Sequence, residues 1–321
     1  MSSLQFSGIF ITLACRDGIL PSALLNYKEV LMLNSITKAV IPCGGLGTRF
    51  LPITKAVPKE LLPVIDTPVL GHIVLEAVES GITDILIIQA PGKEAIEKYF
   101  TDAPILEKKL LESGNLEAAE ILKKITKGAN FNFVVQESPR GSGDAVLHAE
   151  KFVAGEPFVL ALGDDLIYSK EPVCGQLIQA YNKKKASILG VQSVLTDNIV
   201  NYGVADIGGL ELGSDRCAKL KGIVEKPPLN KLPSRLAALG RYILTSNIFD
   251  VIRRTPVGKN GEQQLTDSLN IMAKMDNLYA YDFIGTRYDM GDKFGSVCAI
   301  VEYALRDKNF GGKFREFIKT I

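Results

Sequence analysis

A turn of glycines at the end of an apolar strand, with an arginine and a lysine close behind, is suited to holding phosphate. In this chain Ala39-Val40-Ile41 runs into Gly44-Gly45-Leu46-Gly47-Thr48-Arg49-Phe50, and Pro58-Lys59-Glu60 follows. Glycine tolerates positive φ and carries no Cβ, so backbone N–H groups can turn toward one point and an anion can approach them. Arg49 and Lys59 add positive charge to that point. The dinucleotide fingerprint is only partly met: Gly45 and Gly47 fit, but Phe50 stands where the third glycine belongs. A Walker loop is not present either, since no Gly-Lys-Ser/Thr follows at the required spacing. Acid–base chemistry has little to work with. The two histidines, His72 and His148, fall inside helix-like runs and read as packing or surface residues, without the partners that such chemistry requires.

The scaffold that must carry these residues shows in the periodicity. Apolar, β-rich runs recur at Ile36–Ile41, Ile85–Ile88, Phe131–Val135, Phe158–Leu162 and Ser187–Val191, with helix-like stretches between most of them. That alternation predicts an α/β fold with a Rossmann-like, mixed but mainly parallel sheet and helices on both faces. Ligands of such sheets sit at the carboxyl ends of the strands, beside a switch in strand order. Val69–Ser80 reads as a helix stopped by Gly81, and Ser142–Phe152 as another. Residues 104–127 read as a helical insertion broken at Gly114-Asn115, either an amphipathic pair on the surface or a subunit contact. Beyond Tyr202 the pattern becomes shorter and more strand-like. Pro227-Pro228 and Pro233 mark a loop there, and helical segments are expected at 245–254, 265–275 and 290–307. Asp164 follows the run Phe158–Leu162 and Gly163, which puts a carboxylate at a strand's carboxyl end.

In these segments the chain resembles the sugar-1-phosphate nucleotidyltransferases, which join a sugar 1-phosphate to a nucleoside triphosphate. The likeness rests on residues 44–52 (Gly-Gly-Leu-Gly-Thr-Arg-Phe-Leu-Pro), Thr54-Lys55-Ala56, Pro58-Lys59-Glu60-Leu61-Leu62-Pro63 and Tyr202-Gly203-Val204. It continues through Val224-Glu225-Lys226-Pro227, Gln264-Leu265-Thr266-Asp267 and Arg287-Tyr288-Asp289-Met290-Gly291. It covers about residues 36–306 in the family's order. The resemblance implies a fold of the nucleotide-diphospho-sugar transferase type over residues 32–321. It also implies magnesium-dependent transfer of UMP from UTP to glucose 1-phosphate, giving UDP-glucose and pyrophosphate. A thymidylyl or other pyrimidine transferase, or a catalytically weak nucleotide-sugar sensor, is the alternative. In such a reaction the attacking phosphate is already ionised, so the protein must neutralise and align phosphates rather than abstract a proton.

Matching motif to motif, the resemblance gives catalytic roles to Arg49, Lys59, Asp164 and Lys226. It makes Gly44, Gly45, Gly47, Thr48, Glu60, Gln136 and Gly141 nucleotide contacts, and Gly203, Glu225 and Lys226 sugar-phosphate contacts. Asp164 and Asp289 match the aspartates that share Mg2+, an ion that favours oxygen ligands. Asp165 is a rival at the first position, because Leu-Gly-Asp-Asp departs from the Leu-Pro-Asp-Val usual in the uridylyl members. Gln136 suits a pyrimidine imide because its amide both donates and accepts. Histidine is usual in the uridylyl members where this chain has Asp144.

Composition narrows the remaining classes. A hydrophobic content of 46% over 321 residues is ample for a buried core. Thirty-seven basic residues against 36 acidic ones argue against the broad basic surface of a nucleic-acid binder. Five widely spaced cysteines without a C-x-x-C pair suggest neither a disulfide framework nor a zinc site, and a cytoplasmic protein is expected. Gly8–Cys15 is too short, and lacks the preceding Lys or Arg, for a signal or membrane helix. Residues 1–31 are expected to be a weakly ordered extension or to precede the true start, since the resemblance begins only after Met32. The expected partners are UTP and glucose 1-phosphate, with no nucleic acid or membrane, in a homodimer or homotetramer.

Overall fold

Side-chain alternation along the first strand shows how the core is divided. The computed structural model describes residues 36–258, 261–275 and 277–321, and the extension expected over residues 1–31 lies outside them. In β1 (Lys38–Cys43), Ala39, Ile41 and Cys43 enter one apolar cluster and Val40 enters a second one. Successive strand residues point to opposite faces, so a run apolar at every position must be covered on both. The other strands in chain order are β2 (Pro63–Val64), β3 (Thr67–Pro68), β4 (Asp84–Gln89), β5 (Asn130–Val135), β6 (Phe158–Ala161), β7 (Asp165–Tyr168) and β8 (Ser187–Ser193). They continue with β9 (Gly203–Asp206), β10 (Cys217–Lys219), β11 (Gly222–Glu225), β12 (Leu236–Leu244), β13 (Leu278–Asp282) and β14 (Thr286–Asp289).

Ten of them form one sheet with a main path β10-β13-β8-β12-β6-β1-β4-β5, while β9 joins β12 and β11 joins β9. Strands β1, β4, β5, β6, β8, β9 and β13 run one way, and β10, β11 and β12 run the other. The sheet is therefore mixed and mainly parallel. The helices Val69–Glu79 and Val173–Lys184 cover one face, and Ser142–Leu147, Ile248–Arg254 and Leu265–Lys274 cover the other. Val69, Leu70, Ile73, Val74 and Ala77 recur at helical spacing and form the buried stripe of the first of these. Burial of each larger side chain contributes about 1.5–3 kcal/mol. Gly81, at φ 90°, turns the chain away just past that helix.

Two local features depart from the sequence reading. The helix expected over Ser142–Phe152 is split into Ser142–Leu147 and Glu150–Val153. The strand-like pattern expected beyond Tyr202 did not single out the long central antiparallel β12. Its register against β8 shifts between Ala238 and Tyr242, where Gly240 has φ 63°, and a side chain at Gly240 would collide with Asp165. A bulge of this kind bends a strand and re-aims its side chains, and here it lies beside the acidic residues. The residues between 104 and 127 form the helices Pro104–Glu112 and Leu116–Lys127, with Gly114 at φ 75° between them and Ile105, Leu116 and Ile121 exposed.

Candidate active site

The glycine turn leaves the carboxyl end of β1 and passes between two polar side chains. A methyl group on Gly45 would lie 3.3 Å from Lys59 Cε, and one on Gly44 would lie 3.0 Å from Gln136 Oε1. Gly47 sits in the left-handed region at φ 66°, and its carbonyl accepts hydrogen bonds from the Thr54 hydroxyl at 2.8 Å and the Phe50 N–H at 3.0 Å. The chain then winds through single turns at Thr48–Phe50, Ile53–Lys55 and Lys59–Leu61. These turns bring Arg49 and Lys59 onto the wall of a cleft of about 460 Å³ at the strand ends. That volume is within the range of small-ligand sites.

Opposite the turn, the acidic residues meet. A methyl group on Gly291 would lie 3.1 Å from Asp289 Oδ1, 3.3 Å from Asp164 Oδ2 and 3.9 Å from Arg49 Nη1, so both carboxylates and the guanidinium face one small space. Antiparallel pairing of β14 with β7 sets this up by placing Asp289 across from Asp165, and the Met290 N–H donates to the Asp164 carbonyl at 2.9 Å. Lys59 Nζ lies 2.6 Å from Asp164 Oδ2, and Arg49 Nη1 donates to the Gly291 carbonyl at 3.3 Å. Burial favours the neutral Asp164 carboxyl, but the Lys59 ammonium outweighs it and holds the group below the usual carboxylate range. For Lys59, burial works against the charge, and Asp164 nonetheless lifts its pKa above the ordinary lysine value.

Asp165 faces elsewhere. It is 5% exposed and is engaged by Arg287 through Nε, at 2.5 Å, and through Nη2. Burial raises its pKa against the pull of Arg287. The same guanidinium reaches Asp289 Oδ2 at 3.4 Å and donates to the Tyr202 hydroxyl at 2.8 Å while lying over the Tyr202 ring. Of the adjacent pair, Asp164 is the one whose carboxylate joins Asp289. Oxygen donors of this kind suit a hard divalent cation. Among the described residues no group of three or more His, Cys, Asp or Glu side chains could hold a metal. The two carboxylates fit a divalent cation that takes its remaining ligands from outside the protein.

On the far wall stand Gly203, Glu225 and Lys226. Glu225 Oε2 accepts from the Thr266 hydroxyl at 2.8 Å, and Lys226 Nζ is 3.6 Å from Glu225 Oε1. Lys226 has φ 45°, a strained setting for a residue with a Cβ, and its N–H donates to the Tyr202 carbonyl at 3.0 Å. Gly141, at φ 107°, packs so tightly on the Gln263 backbone that a methyl group there would lie 2.5 Å from its carbonyl oxygen.

The structure thus brings Gly47, Thr48, Arg49, Lys59, Asp164, Gly203, Glu225, Lys226 and Asp289 to one cleft. Gly44, Gly45, Gln136 and Gly141 flank the turn rather than line that wall. Glu60 occupies a different position from the expected nucleotide contact. It is 2% exposed, and both carboxylate oxygens lie 2.9 Å from Lys93 Nζ, which also donates to the Cys43 carbonyl at 2.7 Å. It braces the strand end from within. No His or Cys lines the cleft among the described residues. His72 packs on the Tyr303 ring at 5.0 Å, and His148 Nε2 lies 3.8 Å from Asp144 Oδ2. Sequence reasoning assigned no role to Arg287, Tyr202 or Thr266. Each stands in a segment that carries the resemblance, and that was the available signal.

Comparison with known proteins gives the family. The profile of the family described as Nucleotidyl transferase matches residues 38–302. The UTP–glucose-1-phosphate uridylyltransferase of Bacillus subtilis (strain 168) is 42% identical over 290 residues, which are 90% of this chain and 98% of that protein. A UTP-bound UGPase from Acinetobacter baumannii superposes with a TM-score of 0.81 at 34% identity, covering 88% of this chain and 98% of that one. A UDP-glucose pyrophosphorylase complexed with UDP-glucose gives a TM-score of 0.76 at 36% identity, covering 85% and 100%.

Proposed function

We propose, because this chain belongs to the nucleotidyl transferase family, that it transfers UMP from UTP to glucose 1-phosphate and releases pyrophosphate. An oxygen of the sugar phosphate attacks the α-phosphorus of UTP, a new P–O bond forms there, and the bond to the β-phosphate oxygen breaks. The attacking oxygen is already anionic, so no side chain needs to remove a proton, and a cleft with no His or Cys among its described lining residues suits the reaction. The observation that carries this reading is the convergence of Asp164, Asp289 and Arg49 on the space beside Gly291, with Lys59 on Asp164.

Lys59 and Arg49 neutralise and align the triphosphate; the planar guanidinium suits the departing pyrophosphate, and the ammonium acts as a point charge on the α- or β-phosphate. Glu225, held by Thr266, accepts from the sugar hydroxyls, and Lys226 pairs with the sugar phosphate. Asp164 and Asp289 would hold Mg2+, which supplies further screening of the crowded phosphate oxygens when bound. Arg287 and Tyr202 keep Asp289 in place.

A panel of nucleoside triphosphates against sugar 1-phosphates, read as pyrophosphate release with and without magnesium, tests the proposal. Release is expected with UTP and glucose 1-phosphate and only with the metal. Release with dTTP alone would make the chain a thymidylyltransferase, and none with any pair would leave a nucleotide sensor. A cytoplasmic location and an assembly of two or four copies belong to the same proposal. Light scattering of the purified chain measures the second, and a monomer would remove it.

A further inference from the structure

The Gln136 amide is held in one orientation by a neighbour that the transfer reaction does not use. Gln136 is 5% exposed, and its Nε2 donates to Asp144 Oδ2 at 2.6 Å and lies 3.4 Å from the Gly141 carbonyl oxygen. Both partners are acceptors, so the amide nitrogen must point toward them and Oε1 must point the other way, toward Gly44. Among the described residues no donor is hydrogen-bonded to Oε1, and the longer contact to Gly141 leaves the second N–H weakly held. An acceptor without a donor, beside one available N–H, stands next to the glycine turn. A carboxylate in the first turn of the helix Ser142–Leu147 is accounted for by the helix dipole alone. Its short bond to a buried amide is not.

We infer that Asp144 is a specificity-determining residue: by fixing the Gln136 amide it admits a base with an N3–H imide beside a carbonyl, as in uracil, and excludes cytosine. This rests on the function proposed above. Uracil offers a donor at N3 and an acceptor at O4, matching Gln136 Oε1 and its second N–H. Cytosine offers the reverse, an acceptor at N3 and a donor at the 4-amino group, and would fit only if the amide rotated by half a turn. Rotation would set Gln136 Oε1 against Asp144 Oδ2, two acceptors with no proton between them. The carboxylate therefore acts by repelling the wrong amide orientation rather than by touching the base.

The test is equilibrium binding and turnover with UTP and CTP in the wild-type chain, Asp144→Asn and Asp144→Ser. Asparagine keeps the shape but can donate or accept, so it tolerates both orientations of Gln136. Serine does the same with less bulk, should the first variant fold poorly. The UTP-to-CTP preference, in binding and in kcat/KM, is expected to fall about tenfold or more in both variants, chiefly through a gain with CTP. An unchanged ratio, or equal losses with both nucleotides, would reduce Asp144 to a helix residue and overturn the inference. A wild-type chain that binds UTP over CTP but releases no pyrophosphate would refute the proposed reaction and leave this inference standing. Equal binding of the two by the wild-type chain would overturn the inference directly.

Discussion

Lys59 Nζ sits 2.6 Å from Asp164 Oδ2, so the cation assigned to phosphate and the carboxylate assigned to metal neutralise each other before either ligand arrives. On the proposed function, each exchanges its partner on substrate binding. Lys59→Met, which keeps the chain length and removes the charge, is expected to lower kcat/KM about 10²–10³-fold, the usual effect of removing one preorganised electrostatic contact. It should also bind Mg2+ more tightly than the wild-type chain in the absence of nucleotide, because Asp164 is released. Calorimetric titration with Mg2+ separates the two effects, and weaker binding in the variant would show that the pair does not compete. The ion pair itself should persist over a wide pH range. Asp164 is shifted down, so its contribution is lost only as pH falls below about 4, and Lys59 is shifted up, so its contribution is lost only above about pH 10.4.

Asp289 Oδ1 accepts the Gly291 N–H at 2.9 Å, while Oδ2 faces Arg287 and the Tyr202 hydroxyl, both at 3.4 Å. Asp289→Asn retains an acceptor for Gly291 and removes the charge. Turnover is expected to fall at least about 10²-fold with little change in melting temperature. Asp289→Ala also leaves the Gly291 N–H without its acceptor and should cost about 1 kcal/mol of stability in addition. Pyrophosphate release and thermal melting of the two variants check this, and wild-type turnover in the asparagine variant would remove Asp289 from the metal site.

The parts of the fold that were legible in the sequence are those fixed by local pattern. The run through β1 is apolar at successive positions because it is covered on both faces, and that reads directly as a parallel strand. The strand β12 was not legible because Gly240 and Arg241 interrupt its apolar run, and both are explained by distant residues. Gly240 makes room for Asp165, and Arg241 is paired with Glu76. The choice between Asp164 and its rival Asp165 as the carboxylate that joins Asp289 was open for the same reason. Arg287, which takes up Asp165, is brought to it only by the β7–β14 pairing. Motif order pointed to residues that meet in one cleft, whereas the internal partners of each charge depended on contacts that no spacing records.

Arg241 is fully buried within β12, with Nη2 2.7 Å from Glu76 Oε2 and Nε 3.1 Å from Glu76 Oε1, and Glu76 also accepts from the Cys174 N–H at 3.0 Å. The pair ties the sheet to the helices Val69–Glu79 and Val173–Lys184. Burial opposes the charge on Arg241, yet Glu76 raises its pKa above the ordinary value. Glu76→Gln leaves a buried guanidinium without its counter-charge and should destabilise the chain by about 3–5 kcal/mol. The double variant Glu76→Leu with Arg241→Met removes both charges and should recover much of that loss. Denaturant melts of the variants measure it. A single variant as stable as the wild type would show that the pair contributes nothing.

His72, on the helix Val69–Glu79, packs edge-on against Tyr303, and its Nε2 has no hydrogen-bond partner among the described residues. Burial lowers its pKa, with a Val64 backbone hydrogen bond and the Asp66 charge opposing only in part. The sign follows from proton uptake. Unfolded histidine takes up a proton near pH 6.5, whereas the folded chain resists it to lower pH, so the unfolded state binds more protons in that window. The stability associated with neutral His72 is therefore present above about pH 6.5 and is lost as pH falls through the folded value. His72→Phe fills the same space against Tyr303 without a titrating group. Its melting temperature should fall less than that of the wild-type chain between about pH 7.5 and pH 5. An identical slope in the two proteins would mean that His72 protonates alike in the folded and unfolded states, and that the packing position does not control its charge.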